Sequence, residues 1–303
     1  MRHNMRNERI YVCHTFYHVY VSLLKEFALS KEEHGGATMV LSKMSSNFGD
    51  LKERLENSRV FESVVEYDEK RDTFFPELAK YREKKNNFIL QLVNRIIFTK
   101  KYAKLQEQYI PVDFSKYKDI YIYCDSDPIG YYLNYKKIKY HAVEDGLNCL
   151  VHFDAARYDN RSHFNVKAFL AKHNLIFIQN GYSKYCLDME VNDIASLLFP
   201  MYKHIEVPRK QLQERLTHEE KNIIMSIFIK NKEAILAALN NKEDGKENYL
   251  ILTEPLCSLE IRRQIFEDLI EEYSKSGKVI LKPHPRDEMD YEKEFPYVTV
   301  VEK

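Results

Sequence analysis

The chain of 303 residues is too long for one ordinary core and suits two domains. Lys+Arg and Asp+Glu balance at 46 each, so no net field draws it to nucleic acid, and eight glycines are too few for a collagen-like, low-complexity or glycine-looped phosphate-binding design. The five cysteines, Cys13, Cys124, Cys149, Cys186 and Cys257, lack CxxC spacing and exclude a disulfide framework; with no apolar segment in the charged first residues and no run of about 18 apolar residues, a cytoplasmic protein is expected.

In chain order, Ile10 to Cys13 reads as a strand and a helix begins near Thr15, whose hydroxyl suits a cap. Tyr17, Val21, Leu24 and Phe27 follow at helical spacing. Ala37 to Ser42 predicts a second strand, 47–58 a helix and 60–67 a third strand. From about Phe75 to Gln108 the pattern is helical, broken near Asn86-Asn87, and carries Lys80, Arg82, Lys84, Lys85, Arg95, Lys100, Lys101 and Lys104. That run is either a solvated face or a peripheral contact with anionic lipid at the inner membrane face, and apolar Phe88, Ile89, Leu92, Ile96 and Ile97 lie among the charges. A strand then ends near Cys124, a helix enters at Pro128, and another strand stops at Glu144-Asp145-Gly146.

Beyond Val151 the pattern loosens, and 174–186 offers one more strand. Residues 216–239 read as one helix, with Thr217 and Glu220 forming a capping box. A strand at 248–255, a helix from Ser258 closed by Gly277, a strand into Lys282-Pro283-His284-Pro285 and a last strand from Tyr297 complete the chain. Strands alternating with helices predict two α/β halves with mostly parallel sheets facing a central cleft.

In open α/β sheets, ligands bind outside the carboxyl ends of the strands. Four such ends carry polar groups: His14-Thr15, Asp125-Ser126-Asp127, Glu144-Asp145-Gly146 and Lys282 to Arg286. The last is the strongest. Pro283 and Pro285 stiffen the backbone around His284, and Lys282 and Arg286 stand beside it, a rigid cationic knuckle suited to a phosphate leaving group. The plainer alternative is a turn with solvated cations. Gly146 allows a positive φ, and Glu144 and Asp145 include a candidate base or, alternatively, a cap. The DxD spacing of Asp125 and Asp127 fits a metal–diphosphate site, but Asp127 before Pro128 fits a helix cap better, so no metal is expected. His18 and His173 lack metal-ligand spacing and read as structural.

The segments "YVCHTFYHVYVSLLK", "YHAVEDGLNCL", "LILTEPL" and "VILKPHPRDEMDY" resemble bacterial sialyltransferases of glycosyltransferase family 52, which build lipooligosaccharide and capsular polysaccharide. The resemblance implies a GT-B fold of two Rossmann-like domains, here 1–155 on the acceptor side and 156–303 on the nucleotide side. It implies inverting, metal-independent transfer from CMP-sialic acid to a terminal galactose hydroxyl, with no cofactor. His284 would face the departing phosphate, and Lys282, Pro283, Pro285, Arg286, Thr253 and Glu254 would hold the nucleotide. His14, Thr15, Glu144 and Gly146 would line the substrate side. The family carries an acid after the TQP-like strand that acts as base; here that acid is displaced to Glu260, and Asp145 is the other candidate, unless the base is lost. The family also continues past the histidine motif to a serine pair and a closing helix, whereas this sequence stops at Lys303, so the expectation is either a short version of the second domain or a truncated one. A related transferase using another nucleotide sugar, and a non-catalytic nucleotide- or glycan-binding protein, stay open beside this reading, as does association of two copies into a homodimer.

Overall fold

The run Ile10–Cys13 is buried at every residue because it lies in an interior strand of a parallel sheet covered on both faces. The computed structural model describes residues 7–29, 36–45, 47–83, 86–123, 125, 128–146, 163–197, 203–240, 247–284 and 287–301. The chain separates into two units, Met1–Ile227 and Phe228–Lys303.

The first unit runs β1 (Asn7–Cys13), α1 (Phe16–Phe27), β2 (Ala37–Ser42), α2 (Leu51–Ser58), β3 (Ser63–Tyr67), α3 (Ala79–Arg82), α4 (Phe88–Gln106), β4 (Tyr117–Tyr123), α5 (Pro128–Lys136), β5 (Tyr140–Val143), α6 (Phe164–Lys172), β6 (Cys186–Val191), β7 (His204–Glu206) and α7 (Arg209–Glu214). Helix α8 (His218–Phe228) ends at the unit boundary. Among the described residues its strands form one sheet in the order β3-β2-β1-β4-β5-β6-β7, every pair parallel. The chain winds outward from β1 to β3, then restarts at β4 on the other side of β1. That reversal marks the point where an open sheet leaves a crevice at its carboxyl end. Thr15 caps α1 by accepting the His18 amide at 3.3 Å. Asn87 caps α4 by accepting the amides of Ile89 and Leu90, which explains the break predicted there. Phe88, Ile89, Leu90 and Val93 on α4 are exposed.

Two expectations shift. The first unit extends well beyond residue 155, because β6 pairs with β5 (Tyr140↔Cys186) and β7 with β6 (Met189↔His204). The strand expected within 174–186 begins only at Cys186. Before it, Ile176, Phe177 and Ile178 are buried in a loop that Ser183 closes, accepting the Ile178 amide and donating to the Ile178 carbonyl. Apolar residues buried in a held loop mimic a strand in sequence.

The second unit holds α9 (Lys232–Asn240), β8 (Glu247–Leu252), α10 (Leu259–Ser274), β9 (Gly277–Lys282), α11 (Tyr291–Glu294) and β10 (Thr299–Val300), with a parallel sheet in the order β10-β9-β8. Phe266 and Ile270 of α10 pack with Val279, Leu281, Met289, Tyr291 and Phe295 to form its core. The single helix predicted over 216–239 is two, α8 and α9, with Asn231 at the position that starts the second and its carbonyl accepting the Ile235 amide. The capping box forms as predicted: Thr217 N–H donates to Glu220 at 2.7 Å, and Glu220 N–H donates to the Thr217 hydroxyl at 3.2 Å. Gly277 opens β9 and does not close α10; a Cβ there would lie 2.0 Å from the Glu247 carbonyl oxygen. Among the described residues no helix is long and apolar enough to cross a membrane.

Candidate active site

The end of β1 turns directly into α1, and the turn brings two histidines, His14 and His18, one helical turn apart. The His14 N–H donates to His18 Nδ1 at 3.0 Å. A ring nitrogen that accepts carries no proton, so the His18 proton sits on Nε2. That N–H meets Asp145 Oδ1, beyond β5, in a short contact. His18 is fully buried and stacks on Tyr123 at 4.2 Å between ring centroids. Burial holds its imidazole below the usual histidine range despite Asp145, which pulls the other way. The Asp145 side chain is 37% exposed, so its carboxyl meets solvent while its orientation is set from the interior. Gly146 follows at φ +83°, a left-handed conformation that glycine adopts without strain.

The other predicted residues of this unit have supporting places. His14 is buried and its Nε2 lies 2.8 Å from Glu69. Thr15 caps α1. Glu144 is buried and accepts the Asn192 amide at 2.9 Å, tying the end of β5 to the loop after β6. Burial raises its carboxyl, and the Asn192 amide and Arg209 partly offset that. Glu69 binds three segments at once: His14, the Ser42 hydroxyl at 2.7 Å and the Ile129 amide at 3.0 Å in the first turn of α5. Asp125 is fully buried and accepts the amides of Asn180 and Gly181 and the Tyr140 hydroxyl. Burial pushes its carboxyl up to about 6, against those hydrogen bonds. Asp125 thus clips a loop. Ser126 and Asp127 lie outside the described residues.

In the second unit, β9 ends at Lys282 and Pro283 is buried behind it. The His284 N–H donates to Thr253 Oγ1 at 3.0 Å, and that hydroxyl donates to Asp287 Oδ2 at 3.2 Å. Asp287 also accepts Arg262 at 2.6 Å, the Tyr291 hydroxyl at 2.7 Å and the Met289 amide at 3.1 Å, and its own N–H closes the turn onto the His284 carbonyl at 2.9 Å. Burial alone would raise the Asp287 carboxyl; the bonds from Tyr291, Met289 and Arg262 hold it below the usual range. The half-buried His284 therefore sits on a backbone pinned from both sides. Lys282 is half-buried, donates to the Pro283 carbonyl at 3.1 Å and has its ammonium lowered by burial.

Thr253, expected at the nucleotide, is buried and holds the histidine loop. Glu254 is exposed beyond β8, and Glu260 is exposed in the first turn of α10. Pro285 and Arg286 fall outside the described residues. Sequence reasoning missed His18, Glu69, Arg262 and Asp287. The His14–His18 spacing across a helix cap and the acid directly after the PHPR run were the available signals.

The profile of glycosyltransferase family 52 matches residues 54–303, which includes Asp145 and the whole histidine loop. The chain belongs to glycosyltransferase family 52. This family 52 enzyme has solved structural relatives. One is an alpha/beta-galactoside alpha-2,3-sialyltransferase from the luminous marine bacterium Photobacterium phosphoreum, with TM-score 0.52 and 12% identity over 97% of this chain and 79% of that one. Another is the GT-B domain of a sialyltransferase from Photobacterium damselae, with TM-score 0.51 and 12% identity over 97% of this chain and 80% of that one. At that identity the likeness establishes the GT-B fold. No curated protein matches the sequence. The family 52 glycosyltransferase thus has the fold and family expected from its motifs.

Proposed function

We propose that this glycosyltransferase moves sialic acid from CMP-sialic acid to a terminal galactose hydroxyl of a surface or capsular glycan, with inversion and without a metal. The observation that carries the reading is the Lys282–His284 loop of a family 52 chain, clamped by Thr253, Asp287 and Arg262. The sialyltransferase activity of the two Photobacterium proteins that share its fold supports the choice of sugar.

Sialyl transfer passes through an oxocarbenium-like state, as other glycosyl transfers do. Two groups then matter. His284, with Lys282 beside it, stabilises charge growing on the departing CMP phosphate. Asp145 takes the proton of the acceptor hydroxyl as its oxygen bonds to the anomeric carbon from the face opposite CMP, which inverts the centre. Asp145 suits the base better than Glu260. It is held by a buried imidazole and partly exposed, whereas Glu260 projects from an exposed helical turn.

The direct test is ligand stabilisation, because a ligand that binds the folded state raises its melting temperature by mass action. CMP raises it; UDP and GDP at equal concentration do not, and EDTA changes neither the CMP shift nor turnover measured as CMP release. A larger shift with UDP or GDP assigns another nucleotide sugar, and an absolute requirement for Mn²⁺ or Mg²⁺ overturns the metal-free reading.

A further inference from the structure

We propose that His18 is a positioning residue for the base Asp145, a neutral imidazole locked in one tautomer whose single N–H aims the carboxylate and keeps it ionised. The inference rests on the reading of Asp145 as base and adds a residue that lies outside the part of the chain matched by the family profile.

The geometry restricts what His18 can do. Its Nδ1 is occupied by the His14 backbone N–H, a donor that cannot be exchanged for an acceptor. Its Nε2–H is directed to Asp145 Oδ1. The ring is fully buried, with Tyr123 stacked along it at an interplanar angle of 9° and Ser22 donating to the His18 carbonyl at 2.9 Å. Protonation to imidazolium would require breaking the His14 bond and charging a fully buried ring. His18 is therefore unsuited to relay a proton onward. A donor that contacts only one carboxylate oxygen stabilises the charged form of that carboxylate and fixes its plane.

During transfer the acceptor hydroxyl proton moves to the Asp145 carboxylate. The acceptor oxygen bonds to the anomeric carbon, the bond from that carbon to the phosphate oxygen breaks, and its electron pair leaves with CMP. The His18 proton stays on Nε2 throughout. The titratable and charged groups around the pair are His14 at the end of β1, Tyr17 on α1, Tyr123 on β4, Glu144 beyond β5 and Arg209 on α7. The His18 N–H meets the Asp145 carboxylate directly, at Oδ1.

The test uses two variants of the full chain. His18→Phe keeps a flat ring against Tyr123 and removes the N–H; His18→Gln supplies an amide N–H of similar reach. For His18→Phe the acid limb of the pH dependence of kcat/KM moves up by about one unit or more, and kcat at pH 6 falls about tenfold or more, because the carboxylate has lost its charge-favouring donor. His18→Gln returns most of both. A second reading does not depend on turnover: ¹⁵N spectra of His18 show the Nε2–H tautomer, uncharged, from pH 5.5 to 8, and its signals move in Asp145→Asn. If Asp145→Asn abolishes transfer while His18→Phe leaves the limb in place and kcat within about threefold, the positioning role is wrong and Asp145 remains the base. If Asp145→Asn transfers normally, the assignment of the base itself fails. An imidazolium or an Nδ1–H tautomer at pH 6.5 overturns the proposal even where His18→Phe does not fold.

Discussion

Replacing Thr253 by Val tests whether the histidine loop is held by one hydroxyl. Valine preserves the volume and the β-branch that suit the residue to the end of β8, and the Thr253 backbone N–H keeps its bond to the Lys282 carbonyl at 3.1 Å. What is lost is Oγ1, with its 3.0 Å bond from the His284 N–H and its 3.2 Å bond to Asp287. Asp287 retains Arg262, Tyr291 and the Met289 amide, so its charge stays compensated. The loss to Asp287 is one bond to a charged group, about 1.5–3 kcal/mol, reduced because three donors remain. The orphaned His284 N–H adds about 1 kcal/mol, limited because the residue is half-buried and water reaches it. A total near 2–3 kcal/mol follows, read from urea unfolding with unchanged slope. The effect on chemistry is of similar size. A histidine backbone freed by about 1 Å loses up to about 10²-fold in rate. Single-turnover CMP release therefore falls about 10- to 100-fold in Thr253→Val, with donor KM changed much less, and Thr253→Ser stays within about threefold of wild type. Equal losses in the Ser and Val variants, or a Val variant within about threefold (roughly 0.65 kcal/mol in barrier), refute the argument that the hydroxyl positions His284.

His284→Ala lowers kcat about 10²–10³-fold with little change in melting temperature, and His284→Asn recovers little, because an amide donates a hydrogen bond but gives up no proton; CMP release kinetics decide this. The depressed carboxyl of Asp287 means that its contribution to stability is present above the unfolded aspartate value, near 3.8, and is lost as pH falls through the lower folded value. Urea midpoints between pH 2.5 and 6 therefore drop steeply at the acid end, and Asp287→Asn flattens that drop while lowering the midpoint at pH 6. If the Lys80–Lys104 region with exposed Phe88, Ile89 and Leu90 meets anionic membrane, sedimentation with phosphatidylglycerol vesicles weakens as salt rises from 0.05 M to about 1 M, where the screening length is roughly 3 Å. Binding that survives about 1 M salt is not electrostatic.

The parts of the fold that were legible are those set by neighbours in sequence. The Thr217–Glu220 box, the helix break near Asn87 and the apolar strand that ends at Lys282 are local devices, and each forms where the residues announce it. The parts that were hidden depend on topology. His18 reads as an ordinary helix-face histidine because its partner Asp145 lies 127 residues away, and only the placement of β5 beside β4 beside β1 joins them. The boundary of the first unit was hidden for a related reason: β7 is three residues long, and Ile176 to Ile178, buried in a loop, carry the apolar signal a strand should have carried. Thr253 was seen as a site residue, but its role was not, since a hydroxyl at a strand end looks the same whether it faces a phosphate or a backbone amide.

Each unit has a buried acid where several segments converge: Glu69 joins the turn after β1, the end of β2 and the first turn of α5, and Asp287 joins the loops after β8 and β9 to α10. The partners of these acids in those bonds are side chains and amides of the scaffold, and Glu254, Leu256 and Glu260 stand exposed outside those contacts. Exposed positions such as Glu254, Leu256 and Glu260 can therefore be randomised in a directed-evolution library without dismantling the loops that carry them, whereas a library that includes Glu69 or Asp287 would consist mostly of collapsed sites. An enzyme built this way separates what may drift from what must stay. That separation gives a practical route to altering which sugar it donates or which glycan it extends.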